Sequence, residues 1–396
     1  MQTTVAKTPR NNAIELWRFI FTVGISYGHF HSFGVRALGI DSSIWVMQGS
    51  RLLAAFVVLS GYFMMDGYMR KLQRGSLEGL SAASLSWGYF GKRYLALGPA
   101  AFIAVLVAFI ARNVINGTSL SLIPTVLVNS IYEFFSLNQL GIVGVHETTS
   151  ATALAEALDS GVTTTIWNGP LWYISALLIA GTLLYYMLSK NQDFFVGFLC
   201  PFIILGVYGY EGYNSILSGT GRMFSKGNLG FFDLLNGVLR VGAGMCVGVL
   251  LWYIVAFVKE HPLSGKAKGV LTVVNALLSV MFLYTMWFGI PWGEFQHELI
   301  QTAFIGILLI NQDGLSKLYN QKWAGYLGRV SLYFYLCHVI TTFVLTAMFP
   351  TMSYMALVGL FFVVNLVAAI VFKAIDDTVI TRFIRKPILS YMEKKA

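Results

Sequence analysis

The chain has 396 residues, of which 56% are hydrophobic, 15% aromatic and only 11% charged. Soluble domains carry about 25% charged residues, so disorder, a basic nucleic-acid-binding arm and an ordinary cytosolic enzyme are excluded. A mean hydropathy of +0.68 over this length indicates a bilayer as solvent rather than one oversized core.

A membrane-crossing helix needs about 17–25 mostly apolar residues. Ten segments qualify, at residues 13–34, 45–66, 92–112, 168–189, 194–210, 236–258, 268–288, 296–311, 328–348 and 353–374. The pattern predicts an all-α polytopic membrane protein of about ten transmembrane helices. It reads as one integral-membrane domain over 1–396, with no appended soluble domain. The run after Arg10 is too long for a cleavable signal, contains Glu15 and Arg18, and lacks a small-residue cleavage pattern. The stretch 119–140 is broken by Pro124, Asn129 and Glu133 and reads as re-entrant or interfacial. Cys200, Cys246 and Cys337 are scattered in apolar runs, so neither a disulfide framework nor a metal site is expected.

The net charge of +9 acts as a topology marker. Twenty of the 27 Lys and Arg residues fall in segments on one side, from Lys7 and Arg10 through Arg70, Lys71, Lys92 and Arg93 to the six from Lys373 onward. That asymmetry predicts an even number of spans and both termini in the cytoplasm.

Ionisable groups inside spans are costly, which makes each a functional candidate. The first span holds Glu15, Arg18, His29 and His31. Glu15 and Arg18 share a helix face and can pair. Arg18 and His29 share one too, about 16 Å apart along the axis. This stripe suits a ligand that enters past the cation and reacts at the imidazole; a structural ion pair and a packed histidine are the alternative. His31 points roughly the other way. The second span carries Arg51 and FVVLSGYF, with Ser60 beside Gly61; Gly61 reads first as a helix-packing notch. Lys92 and Arg93 precede Pro99 and serve either as membrane anchors or as cations for the phosphates of a donor. In the ninth span Ser331, Tyr335 and His338 lie on one face, lining the bundle interior.

Five features together resemble the integral-membrane acyltransferase family 3, which O-acylates surface glycans and related acceptors. They are Arg18 and His29 ten residues apart between them; the run Phe56–Phe63; the basic stretch Lys92–Pro99; NGPLWYI at 168–174, with Trp172; and SLYFYLCH at 331–338. The chain departs from the family at Val57, Leu177 and Leu332, as a divergent capsule- or exopolysaccharide-modifying branch would. The resemblance implies acetyl-CoA as donor and a polysaccharide or lipid-linked glycan as acceptor, in a multi-pass protein of a bacterial cell membrane. Membrane lipids are the other expected partners, nucleic acid is not, and a separate extracytoplasmic protein is compatible with it.

His29 would then be the catalytic base or a transient acyl carrier. Arg18, Glu15, Ser60, Lys92 and Arg93 would bind or orient the donor. Arg51, Trp172, Tyr335 and His338 complete the candidate site, with Arg51 or Tyr335 as oxyanion donors. A transporter of a lipid-linked glycan or anionic solute is the alternative from another class, but no two halves with matching broken helices are visible.

Overall fold

The computed structural model describes residues 11–35, 49–137, 145–147, 164–218, 231–288 and 294–395. In chain order the main elements are α1 (Asn12–His29), α2 (Gly49–Gln73), α3 (Ala82–Ile115), α4 (Ile123–Asn129), α5 (Ile131–Phe134), β1 (Val145–Glu147), β2 (Thr164–Ile166), α6 (Trp172–Lys190), α7 (Cys200–Ser218), α8 (Phe231–Glu260), α9 (Gly265–Phe288), α10 (Glu294–Ile310), α11 (Gly314–Tyr319), α12 (Lys322–Met348), α13 (Tyr354–Ile375) and α14 (Lys386–Lys395). The strands form one three-residue parallel pair, and everything else of substance is helical. Among the described residues, eight helices are long and apolar enough to cross a membrane: α2, α3, α6, α7, α8, α9, α12 and α13. The two other expected segments are also helices: α1, whose hydropathy Glu15 and Arg18 lower, and the shorter α10. The protein is an all-α polytopic membrane protein.

The helices differ in what they face. α7 presents Phe202 and Leu205 outward, and α9 presents Val270, Leu277 and Val280, as lipid-facing helices must. α2, α6 and α12 are the enclosed ones. Close helix contact is bought with glycine at two seams. A Cβ on Gly61 of α2 would strike the Met245 carbonyl of α8, and one on Gly248 of α8 would strike the Val58 carbonyl of α2. The notch reading of Gly61 is therefore right. At the second seam Gly325 and Gly328 of α12 sit against Asn12 and Glu15 of α1. Matching positions rise together along both helices, so α1 and α12 run parallel.

One boundary needs correction. The third span was expected to start at 92, yet α3 starts at Ala82. The Ser81 hydroxyl caps it by accepting the Ser84 N–H at 3.2 Å, and no proline lies between residues 82 and 92. Pro99 then lies inside the helix and cannot serve the Leu95 carbonyl. Arg385 does so instead: its Nε donates to Leu95 O at 2.7 Å and an Nη to Ala96 O at 2.9 Å. The same guanidinium pairs with the buried Asp376, which also accepts the Tyr333 hydroxyl at 2.7 Å. Thus one of the basic residues counted toward the cytoplasmic face mends a proline-broken helix. Arg385→Met is expected to cost about 3 kcal/mol, read as a lower melting temperature in detergent. The loss should shrink in a Pro99→Ala background, where an N–H reaches Leu95; equal losses in both backgrounds would refute this role.

The stretch 119–140 is no further span. Its described part, 119–137, folds into α4 and α5, and Glu133, one of the residues that break its hydropathy, has a structural role. Glu133, 1% exposed, accepts the backbone N–H groups of Trp167 and Asn168 at 2.6 and 2.7 Å. Ser130 accepts the Trp167 indole N–H at 2.6 Å, and Arg112 donates to the Trp167 carbonyl at 3.0 Å. A buried carboxylate so bonded fixes the segment that leads into α6.

Candidate active site

α1 ends at His29, and the chain continues through a wider helical turn, Phe30–Val35. His29 is half-buried; His338, on α12, is 0% exposed. Their rings lie 5.0 Å apart at 19°, and His29 Nδ1 meets His338 Nε2 at 2.9 Å. The other nitrogen of His338, Nδ1, is hydrogen-bonded to the Tyr335 carbonyl. A carbonyl only accepts, so Nδ1 of His338 carries its proton and the neutral ring offers Nε2 as acceptor. His29 therefore donates from Nδ1, and its lone pair sits on Nε2. Two hydrogen bonds in series set the tautomer of the residue expected to act as base.

His31, also buried, belongs to another network. Its Nδ1 lies 3.0 Å from the Tyr354 hydroxyl, which lies 2.5 Å from that of Tyr27. This ties α1 to α13 and leaves His29 as the histidine of the site.

Arg18 pairs with Glu15 at 3.0 Å and keeps 30% of its side chain exposed. The Ser60 hydroxyl donates to Phe56 O at 2.7 Å, and the phenol of Tyr173 lies beside it. Tyr173 is the residue that sequence reasoning passed over, although it adjoins Trp172 in the quoted motif. It packs on all three hydrophobic clusters of the bundle and lies within electrostatic range of Arg18, Arg93 and Tyr335. A hydroxyl at the junction of three apolar clusters was the available signal. Tyr173 is nonetheless half-buried, as are Arg18, His29, Ser60, Trp172 and Tyr335.

Tyr335 serves differently from expectation. Its hydroxyl donates to the Pro170 carbonyl, which fastens α12 to the entry of α6, while its own carbonyl orients His338. Its proton is committed to that bond. Trp172 stands with its ring 6.5 Å from that of Tyr173 at 84°. Lys92 and Arg93 part company: Lys92 is exposed, whereas Arg93 is half-buried with its guanidinium 5.5 Å from the Tyr89 ring. Ser331 is buried and bonds Gly328 O at 3.0 Å, a local helix contact. Arg51 begins near the start of α2, and its side chain lies outside the described residues.

The site therefore gathers residues of α1, α2, α6 and α12, with the cation Arg18 toward the start of α1 and an oriented histidine pair three turns beyond it. Such an arrangement can remove a proton from a hydroxyl and hold an anionic donor on the other side. A family model described as an acyltransferase domain, that of acyltransferase family 3, matches residues 11–374, nearly the whole chain. No curated relative and no solved structure matches.

Proposed function

We propose, on the premise that this chain belongs to acyltransferase family 3, that it moves an acetyl group from cytoplasmic acetyl-CoA to a hydroxyl of a cell-surface or lipid-linked glycan, as a multi-pass protein of a bacterial cell membrane. Both termini then face the cytoplasm, and the basic end of the bundle is the donor side. The observation that carries this reading is the hydrogen-bond series from the Tyr335 carbonyl through His338 to His29.

A sugar hydroxyl has a pKa far above 7, so its attack on a thioester needs a base poised near neutrality. Nε2 of His29 takes the hydroxyl proton as the oxygen bonds to the thioester carbonyl carbon. The C=O pair moves onto its oxygen, then returns as the C–S bond breaks. Sulfur leaves with the proton that His29 gives back, which yields the ester and free CoA. His338 accepts from Nδ1 of His29 throughout and spreads the positive charge that forms on the ring. Arg18, held by Glu15, and Tyr173, beside Ser60, stand on the donor side and orient the incoming group. Family membership favours this chemistry over the transport alternative.

Cells that express the protein should carry base-labile acetyl esters on a surface or lipid-linked glycan, detected by mass spectrometry. Cells carrying His29→Ala at equal abundance should lack them. Esters at wild-type levels in the variant would refute the reading.

A further inference from the structure

The short helix α5 lies beside the middle of α3, although its chain crosses no membrane. The Phe134 ring is 5.3 Å from that of Phe102 and 5.9 Å from that of Phe109. A carboxylate at that depth is costly, yet Glu133 stands there at 1% exposure. An apolar side chain would fill the same space without that cost. What a carboxylate adds is two acceptors side by side. One takes the N–H of Trp167 at 2.6 Å, the other the N–H of Asn168 at 2.7 Å.

The turn so held reaches α12 at two adjacent residues. The Asn168 side-chain amide donates to the Leu336 carbonyl at 3.2 Å, and the Pro170 carbonyl accepts the Tyr335 hydroxyl. Between these ties the Leu171 N–H closes on the Asn168 carbonyl at 3.0 Å. Trp167, Asn168 and Leu171 are each 0% exposed, so the turn is packed on every side. The Tyr335 carbonyl is in turn the partner of His338 Nδ1, whose ring meets His29 at 2.9 Å. An unbroken series of contacts runs from Glu133 through residues 167–170 and α12 to the histidine pair.

We propose that Glu133, acting through Asn168 and Pro170, is a positioning residue for acyl transfer: it seats α12 so that His338 meets His29. This rests on the histidine mechanism above and extends it to a residue outside the five sequence features. Misplacing a reacting group by about 1 Å costs about a hundredfold in rate, so a distant seat can govern turnover.

Membranes holding the full chain are assayed for acetyl transfer from acetyl-CoA, per folded protein. The set is wild type, Glu133→Gln, Asn168→Ala, His338→Ala, and each of the first two variants combined with His338→Ala. Glutamine matches glutamate in size, but its amide group would face the second backbone N–H with a donor. Glu133→Gln should lower turnover about tenfold or more, with the KM for acetyl-CoA within about threefold. Asn168→Ala, which removes one neutral hydrogen bond, should lower it about fivefold. In the His338→Ala background Glu133→Gln should cost less than about threefold more, because the contact it seats is already gone.

A merely structural Glu133 predicts its full loss again in that background, in step with thermal stability. Such multiplying losses would overturn the proposal, as would wild-type turnover in Glu133→Gln or in His338→Ala, while acyl transfer itself stands. If Glu133→Gln does not fold, Asn168→Ala and its combination with His338→Ala decide by the same comparison. Wild-type membranes that move no acetyl group would overturn the acyl-transfer reading instead.

Discussion

Replacing His29 by alanine should lower acyl transfer at saturating donor by about a thousandfold, while donor affinity changes by less than about threefold. The split follows from position. His29 ends α1, beyond Arg18 by three helical turns, and its Nδ1 is engaged with His338 rather than with any donor-side group. In the mechanism proposed above, removing it takes away the base at the acceptor hydroxyl and leaves Arg18, Glu15, Ser60 and Tyr173 in place. Kinetics with acetyl-CoA in membranes, alongside equilibrium binding of the same donor, measure the two quantities separately. A large loss of donor affinity with turnover maintained would place His29 in the donor site instead.

The second large effect is expected at His338, which touches neither donor nor acceptor in this account. His338→Ala should reduce turnover about a hundredfold with little change in donor affinity, because His29 then loses the acceptor that fixes its tautomer. His338→Gln should recover most of that loss. A glutamine amide oxygen can accept from Nδ1 of His29, much as the imidazole Nε2 does. A purely structural role for His338 predicts a different outcome: alanine and glutamine variants would lose activity in step with their thermal stability. Equal activity of His338→Ala and wild type would remove it from the site altogether.

Much of the architecture was legible in the sequence, since bilayer thickness demands long apolar runs and basic residues mark one face. The ten expected segments all reappear as helices where they are described. The start of α3 was misread because hydropathy falls before residue 92, whereas helix geometry depends on the Ser81 cap. Arg385 was legible only as a topology marker because its partner, the Leu95 carbonyl, lies 290 residues away. Glu133 looked like an interruption for the same reason, its partners being backbone N–H groups 34 and 35 residues on.

The candidate site shows the same division. Helical spacing put Arg18 and His29 on one stripe, and Ser331, Tyr335 and His338 on another. It could not bring the two stripes together, because the His29–His338 contact spans 309 residues. Nor could it separate the roles of Tyr335, whose carbonyl orients a histidine while its hydroxyl holds Pro170. Tyr173 stayed hidden because an aromatic residue in an apolar run reads as packing; its value comes from three clusters meeting around it.

The central claim is that His29, and not its near neighbour His31, handles the proton in acyl transfer from acetyl-CoA. Membranes containing the wild-type protein, His29→Ala or His31→Ala, at matched abundance, can be given acetyl-CoA labelled in the acetyl group, and label in the glycan fraction counted. The account predicts strong labelling by wild type, labelling by His31→Ala in proportion to the folded protein that remains, and background labelling by His29→Ala. Wild-type labelling by His29→Ala would contradict it.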